Sequence, residues 1–386
     1  MTPSGRIADG YEPVRHAFAS MLAAEPGYSA QVAAYVDGQP VVDLVGGRDA
    51  SDSTMTGVFS VSKGVAALVI AMLVESGALD LDRPVSHYWA EFASGGKAHV
   101  LVRELLSHQA GLVGLAAGLT TEGLVDSTEA ARALAQMHPL WRPGSTFGYH
   151  GLTVGILMEE LVRRVTGGQQ LQELFEREIR GPRSLEFYLG LPAALEQRFQ
   201  PVLPAPDLAG AGTVGDGELE PSDGLAELMY NLRPGETLLT SSASPNLRAI
   251  RAAGPAAVGG VGTARGLAAV YAAAIGPVGG QPAILRPRTI ELMSQQQVWG
   301  RDRLLDVDMV FAVVFMKPQP RMDFGSYRAF GHDGAGGAIG FADPAHHLGF
   351  GYVPQPMQPP GGADPKGVRL ATITRACAAR VRRGFP

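Results

Sequence analysis

Ser60 and Lys63 stand three positions apart in Ser60-Val61-Ser62-Lys63, and residues 65–74 behind them are apolar without interruption. On a helix, positions i and i+3 share a face, so the serine hydroxyl and the lysine amine can meet. Ser60 falls in the first turn, where free N–H groups favour developing negative charge. An apolar helix desolvates the ammonium and lowers its pKa, which makes Lys63 a proton acceptor beside a nucleophilic hydroxyl. The plain alternative is an N-cap serine with a snorkelling lysine. Ser94-Gly95-Gly96-Lys97 fits the same spacing. That copy lies in a Gly-rich stretch with no apolar helix behind it, so a surface loop with a solvated Lys97 is expected.

Phe147-Gly148-Tyr149-His150-Gly151-Leu152-Thr153 sets Tyr149 between glycines, at the mouth of a helix expected over residues 152–166. A tyrosine close to a cationic lysine has its pKa lowered and can exchange protons with a serine. The alternative is an amphipathic tyrosine anchoring a loop. His150 beside it lines the cleft or serves as a structural imidazole, and His108 is open in the same way. Gly331-His332-Asp333-Gly334-Ala335-Gly336-Gly337 has four glycines in seven residues. Such a stretch lets backbone approach a ligand and can aim N–H groups at an oxyanion, or it is an ordinary β-turn.

The chain that positions these groups has 386 residues, 46% hydrophobic and 18% charged. That composition supplies a large core and excludes a disordered chain. With 37 acidic and 32 basic residues and no block of like charge, nothing marks a nucleic-acid surface. Cys377 is the single cysteine. It has no internal disulfide partner and is expected as an inert thiol in a closing helix over residues 366–382. Residues 1–10 lack a secretory pattern, and the apolar run 65–74 is half the ~20 residues of a bilayer span, so a cytoplasmic protein away from membranes is expected. No G-x-S-x-G occurs, His346 and His347 are adjacent rather than spaced as metal ligands, and neither metal nor cofactor is expected. Gly210 to Gly215 fits G-x-G-x-x-G but is followed by acidic residues rather than a helix, so it is set aside as a nucleotide site.

Strand character sits at both ends. Residues 30–36 and 40–45 flank Asp37-Gly38, a hairpin signal. Residues 309–316, 337–342 and 348–353 read as an antiparallel meander. Helices are expected over residues 11–24, 63–76, 102–107, 128–136, 152–166 and 171–179, and residues 201–222 read as a long loop. The fold class is therefore α/β of the α+β kind: an antiparallel sheet flanked by helices from residues 1–83 and 251–386, a mostly helical domain inserted over 84–250, and a cleft between them.

The three chemistry-bearing segments, in this order, resemble the serine β-lactamase and penicillin-binding-protein superfamily. The nearest likeness is to the class C β-lactamase-like esterases, the family VIII carboxylesterases. Ser60 and Lys63 match its S-x-x-K, Tyr149 its tyrosine motif, and His332-Asp333-Gly334 its K-T-G strand motif with histidine in the lysine's place. Leu106 to Leu112, Pro139 to Gly144 and Gly260 to Leu267 resemble further stretches of the family, so the likeness covers about residues 10–380.

The resemblance implies a β-lactamase-like fold and acyl transfer through Ser60. Lys63 and Tyr149 would act as a coupled proton-handling unit, and the backbone N–H groups of Ser60 and Ala335 would form the oxyanion hole. His332, Asp333, Gly334 and His150 would lie at the substrate. Two departures matter. Gly151 stands where β-lactamases of this type carry Asn, and the chain's only asparagines, Asn231 and Asn246, are distant in sequence. His332 replaces the lysine that meets a substrate carboxylate, and an imidazole binds a carboxylate less well. Both favour short-chain, uncharged carboxylic esters, or a small-molecule amide, over penicillins. A transacylase using the same acyl-serine and a binding module that keeps the fold without turnover are the other readings.

Overall fold

The computed structural model describes residues 2–48, 51–205, 225–359 and 361–383. Its eleven strands are β1 (Ser4–Ile7), β2 (Ser29–Val36), β3 (Gln39–Gly46), β4 (Thr56–Gly57), β5 (Phe187–Leu189), β6 (Gly260–Gly262), β7 (Val298–Arg301), β8 (Asp308–Phe311), β9 (Phe330–Asp333), β10 (Ile339–Asp343) and β11 (Leu348–Gln355). Six form one antiparallel sheet in the order β1-β3-β2-β11-β10-β9, which joins the two ends of the chain. The β2–β3 hairpin turns on Asp37 and Gly38, whose φ angles of 50° and 74° are those of a tight reverse turn that follows the sheet's twist. β10 and β11 are the later two strands of the expected meander, but the third place beside them is taken by β9, which was not expected, whereas the first expected strand contributes β8, paired with β7 in a separate two-stranded sheet.

Successive residues of a strand face opposite sides, and β11 shows what covers each. Gly351 lies under the helix Ala264–Ile275, where a Cβ would stand 2.3 Å from the Ala264 carbonyl, whereas Tyr352 packs on Gly367 of the helix Pro365–Arg382. The helix Glu12–Ala24 packs beside Pro365–Arg382. The helix Ala264–Ile275 was not anticipated, because its Ala-rich sequence is buried nearly all round and carries no amphipathic stripe. Beyond it lies the helix Val61–Glu75, whose residues 61–71 are all buried and which packs against both Ala264–Ile275 and β9.

The strand expected over residues 309–316 ends at Phe311. Ala312 donates to the Phe315 carbonyl, Val313 to Met293 and Val314 to Leu106, so the chain turns to meet two helices. Val314 adopts φ 66° there, a sterically expensive value for a β-branched residue. The middle of the chain is helical, with Val102–Leu106, Thr128–Gln136, Thr153–Thr166 and Leu171–Leu174 where helices were expected. Most of the loop expected at 201–222, and the Gly210–Gly215 stretch, lie outside the described residues. Among the described residues no helix is long and apolar enough to cross a membrane, and no cluster of His, Cys, Asp or Glu could hold a metal ion. Cys377 is buried and free.

Candidate active site

β4 runs into Phe59, which takes the left-handed φ of 50°, and the chain then enters the helix Val61–Glu75 with Ser60 at its N-cap. A non-glycine residue in that region stores local strain and turns the backbone sharply. Ser62 braces the turn: its hydroxyl donates to the Phe59 carbonyl at 2.5 Å and accepts from the Gly260 N–H at 2.8 Å. The Ser60 side chain makes no capping bond to its own helix. Its oxygen lies 2.8 Å from Lys63 Nζ, and Nζ also donates to the Ala257 carbonyl at 2.9 Å. Lys63 is 0% exposed, so it does not snorkel. Burial lowers its pKa from 10.5 to about 7, with Asp333 pulling weakly the other way. The N-cap-and-snorkel alternative fails on both residues.

Lys97, expected in solvent, is also 0% exposed. Its amine donates to the carbonyls of Ser94 (2.7 Å) and Met137 (2.5 Å) and sits over the Phe92 ring. It ties two segments together and meets no serine hydroxyl, so the second S-x-x-K match is structural.

Tyr149 is buried, and its hydroxyl lies close enough to the Ser60 side chain for the serine to lower its pKa in part. Its ring stacks on Phe311 at 5.9 Å between centroids, with Lys63 Nζ 5.1 Å from the ring centre. The expected lowering of its pKa is not found. Burial raises it well above 10, and Ser60 opposes this only in part. The amine approaches the ring face rather than the oxygen, so Tyr149 stays a neutral phenol.

Two histidines fix that phenol. The His108 Nδ1 accepts the His150 N–H at 3.1 Å, and the His108 carbonyl accepts the Gly148 N–H at 3.1 Å. His150, expected at the substrate, has both ring nitrogens taken by backbone: Nδ1 on the Gly148 carbonyl (2.7 Å) and Nε2 on the Leu112 N–H (2.9 Å). Burial lowers its pKa to about 4. It locks the loop that carries Tyr149 and leaves no nitrogen for a ligand. Asp302, which the sequence did not reveal, accepts the N–H groups of Leu304 and Leu305 and faces the Tyr149 backbone; burial raises its pKa to about 6.

β9 supplies the third wall. His332 is fully buried against Gly64, where a Cβ would meet the His332 Cβ at 2.9 Å and the Tyr271 hydroxyl oxygen at 2.2 Å. Its Nδ1–H donates to the Asp333 carbonyl at 2.7 Å, and burial, with Lys63 nearby, lowers its pKa to about 4. His332 is therefore a neutral imidazole packed in this wall beside Tyr149, with no hydrogen-bond partner for its Nε2 among the described residues. Asp333 pairs with Arg321 at 3.3 Å and accepts the Ala363 N–H at 2.9 Å. Neither Arg321 nor the half-buried Tyr230, which senses Asp333 and Asp302, was singled out from sequence.

Gly334 to Gly337 form a turn closed by Gly334 N–H on Ala338 and Gly337 N–H on Gly334, each at 2.9 Å. Gly334 packs on Val58 and Val61, and Gly336 on the Phe59 ring, which brings Ala335 beside the Ser60 turn. Among the described residues, the N–H groups of Ser60 and Ala335 have no hydrogen-bond acceptor. A Cβ at 334 would stand 2.2 Å from the Val58 carbonyl. Gly334→Val should displace Ala335, and losing one oxyanion donor costs on the order of 10²–10³ in rate. The expected result with a neutral ester is that loss in kcat with KM little changed; wild-type kcat would remove Ala335 from the site.

Position 151 is closed as well. A Cβ there would meet the Met229 carbonyl at 2.7 Å and its Cγ at 2.9 Å, so the segment Leu225–Tyr230 fills the space a side chain would need. A separate cleft of about 470 Å³, lined by Tyr35, Glu186 and Arg265 among others, shares no residue with this cluster.

Known proteins resemble this chain over most of its length. The family model described as Beta-lactamase matches residues 14–373. Esterase/beta-lactamase LipL of Mycobacterium tuberculosis is 34% identical over 354 residues, 88% of this chain and 80% of that protein. The structure of EstA from Arthrobacter nitroguajacolicus Rue61a superposes with a TM-score of 0.89 at 46% identity, covering 97% of this chain and 98% of that one. A family VIII carboxylesterase superposes at 0.87 with 31% identity, covering 98% of this chain and all of the other. On these matches the chain belongs to the beta-lactamase family.

Proposed function

We propose that this protein is a serine hydrolase that cleaves neutral, short-chain carboxylic esters through an acyl-enzyme on Ser60. The observation that carries it is a fully buried amine of pKa about 7 placed 2.8 Å from the hydroxyl of a half-buried serine. Neutral Lys63 takes the Ser60 proton as the oxygen bonds to the ester carbonyl. The tetrahedral oxyanion is held by the Ser60 and Ala335 N–H groups. Collapse breaks the ester C–O bond, and the departing alkoxide takes the proton that Lys63 removed from Ser60, with the neutral Tyr149 phenol beside the site. A water, deprotonated by the same amine, then hydrolyses the acyl-serine. The phenol's raised pKa and the amine's lowered one favour Lys63 as the base, with Tyr149 kept as a neutral phenol beside it.

Charge around the site favours an uncharged substrate. His332 is neutral, Arg321 is paired with Asp333, and Lys63 is half-deprotonated near neutrality, so none of these three is a free cation for a carboxylate. The closed position 151 also leaves no room for an amide-gripping side chain. The names of LipL, an esterase/beta-lactamase, and of the family VIII carboxylesterase support ester hydrolysis. Intact mass after exposure to an activated p-nitrophenyl ester or a fluorophosphonate, followed by peptide mapping, tests the reading. One adduct on Ser60 is expected; an adduct elsewhere, or none, overturns it.

A further inference from the structure

The carbonyl that holds Lys63 is itself held. Residues 255–259 form a turn in which the N–H groups of Val258 (3.0 Å) and Gly259 (2.8 Å) both donate to the Pro255 carbonyl. The Ala257 carbonyl of that turn accepts from Lys63, and the neighbouring Ala256 N–H donates to Glu159 Oε1 at 2.9 Å. Glu159 lies within the helix Thr153–Thr166 and is 6% exposed. Its other acceptor positions are filled by Gln172 Nε2 on Oε1 (2.9 Å) and Ser127 Oγ on Oε2 (2.7 Å). Gln172 also donates to the Gly254 carbonyl at 3.1 Å, so the turn is gripped at two points. One helical turn before Glu159, on the same face, a Cβ on Gly155 would stand 2.6 Å from the Ala257 nitrogen. The start of this helix is tied to the Tyr149 loop as well: Thr153 Oγ1 donates to the Leu112 carbonyl at 2.6 Å, and the Leu112 N–H donates to His150.

A buried carboxylate is expensive unless its oxygens are occupied. Here burial raises the Glu159 pKa, and the bonds from Ala256, Ser127 and Gln172, with Arg163 close by, oppose it. Nothing in packing alone calls for such a group at the centre of the helix layer. We propose that Glu159 is a positioning residue for the reaction: it fixes the Ala256 N–H, thereby aims the Ala257 carbonyl, and through that carbonyl sets the place and basicity of Lys63. The inference rests on the Ser60–Lys63 reading above.

Lys63 faces Ser60 on its own helix, the Ala257 carbonyl, the Tyr149 ring, His332 and Asp333 of β9, and His108. Taking the carbonyl away removes an acceptor that favours the ammonium, so the pKa of Lys63 falls further.

The test compares wild type with Glu159→Ala, Glu159→Gln, Gly155→Ala and Ser127→Ala, reading kcat and KM on a neutral p-nitrophenyl ester, fluorophosphonate labelling of Ser60, and Tm. Glu159→Ala and Gly155→Ala should lose kcat and labelling rate on the order of 10²-fold, the scale of a 1 Å misplacement, with KM little changed. The acid limb of kcat/KM should move to lower pH. Glu159→Gln keeps an oxygen for Ala256 and should recover most of the rate. Ser127→Ala removes only an Oε2 bond and should lower Tm while keeping kcat. Wild-type labelling and an unmoved acid limb in Glu159→Ala overturn the proposal, and Gly155→Ala decides in the same way if that variant does not fold. Failure of Glu159→Gln to recover also overturns it. A wild-type adduct away from Ser60 removes the underlying reading, whereas a Ser60 adduct formed equally fast in all variants removes only this one.

Discussion

Ser60→Ala should abolish ester turnover, a loss on the order of 10⁶-fold, and leave Tm close to that of the wild type. Loss of the nucleophile in a serine hydrolase has that scale because the remaining groups act only through it. The stability half of the expectation comes from the helix end. N-cap serines contribute about 1 kcal/mol when the hydroxyl accepts from the first turn, but Ser60 makes no such bond, and its oxygen is engaged instead with Lys63 and Tyr149. Steady-state hydrolysis and thermal unfolding on one preparation decide it. Turnover within tenfold of wild type places the nucleophile elsewhere, and a collapse of Tm makes Ser60 a structural cap.

Lys63→Met should produce the second largest effect, and in two opposite senses. Turnover should fall on the order of 10⁴-fold, the upper end of what general acid–base catalysis contributes. In the wild type, kcat/KM should rise with pH through an apparent pKa of about 7 as the buried ammonium loses its proton. Stability should move the other way. The folded-state pKa lies below the ordinary lysine value, so between about 7 and 10.5 the unfolded chain binds more protons than the native one, and native stability rises with pH across that window. Below pH 7 the protein carries the full cost of a buried ammonium. Methionine has similar reach and no charge, so the variant should melt higher than wild type at pH 6, with the gap closing toward pH 10. A variant melting below wild type at pH 6 would show that the amine's two hydrogen bonds outweigh its desolvation.

Much of this site is readable because the decisive spacings are local. Ser60 and Lys63 meet through one helical turn, and the apolar residues after them announce the burial that lets the amine stand unprotonated near neutral pH. The hairpin at Asp37-Gly38 and the helix Thr128–Gln136 are equally local, one set by φ angles that suit glycine and its neighbours and the other by 3.6-residue periodicity. Where a residue's environment comes from far along the chain, the same reasoning misleads. Lys97 lies in a Gly-rich stretch and reads as solvated, yet it is desolvated by the Met137 carbonyl 40 residues later. Tyr149 reads as a phenol acidified by a lysine, but the lysine meets its ring face and burial prevails. His332 reads as a charged-lysine replacement, but Gly64 lets β9 approach the helix Val61–Glu75, and burial there keeps the imidazole neutral.

The sequence by itself singled out Ser60, Lys63, Tyr149 and the glycine-rich turn 331–337 as candidates, since each rests on residue type and on conformations that short segments adopt unaided. Tertiary structure alone decided that the amine rather than the phenol titrates near neutral pH, that both His150 nitrogens are taken by backbone, and how Lys63 is held by a carbonyl 194 residues away. Those are questions of desolvation and of hydrogen-bond partners, and both depend on which distant segments the fold packs around a group.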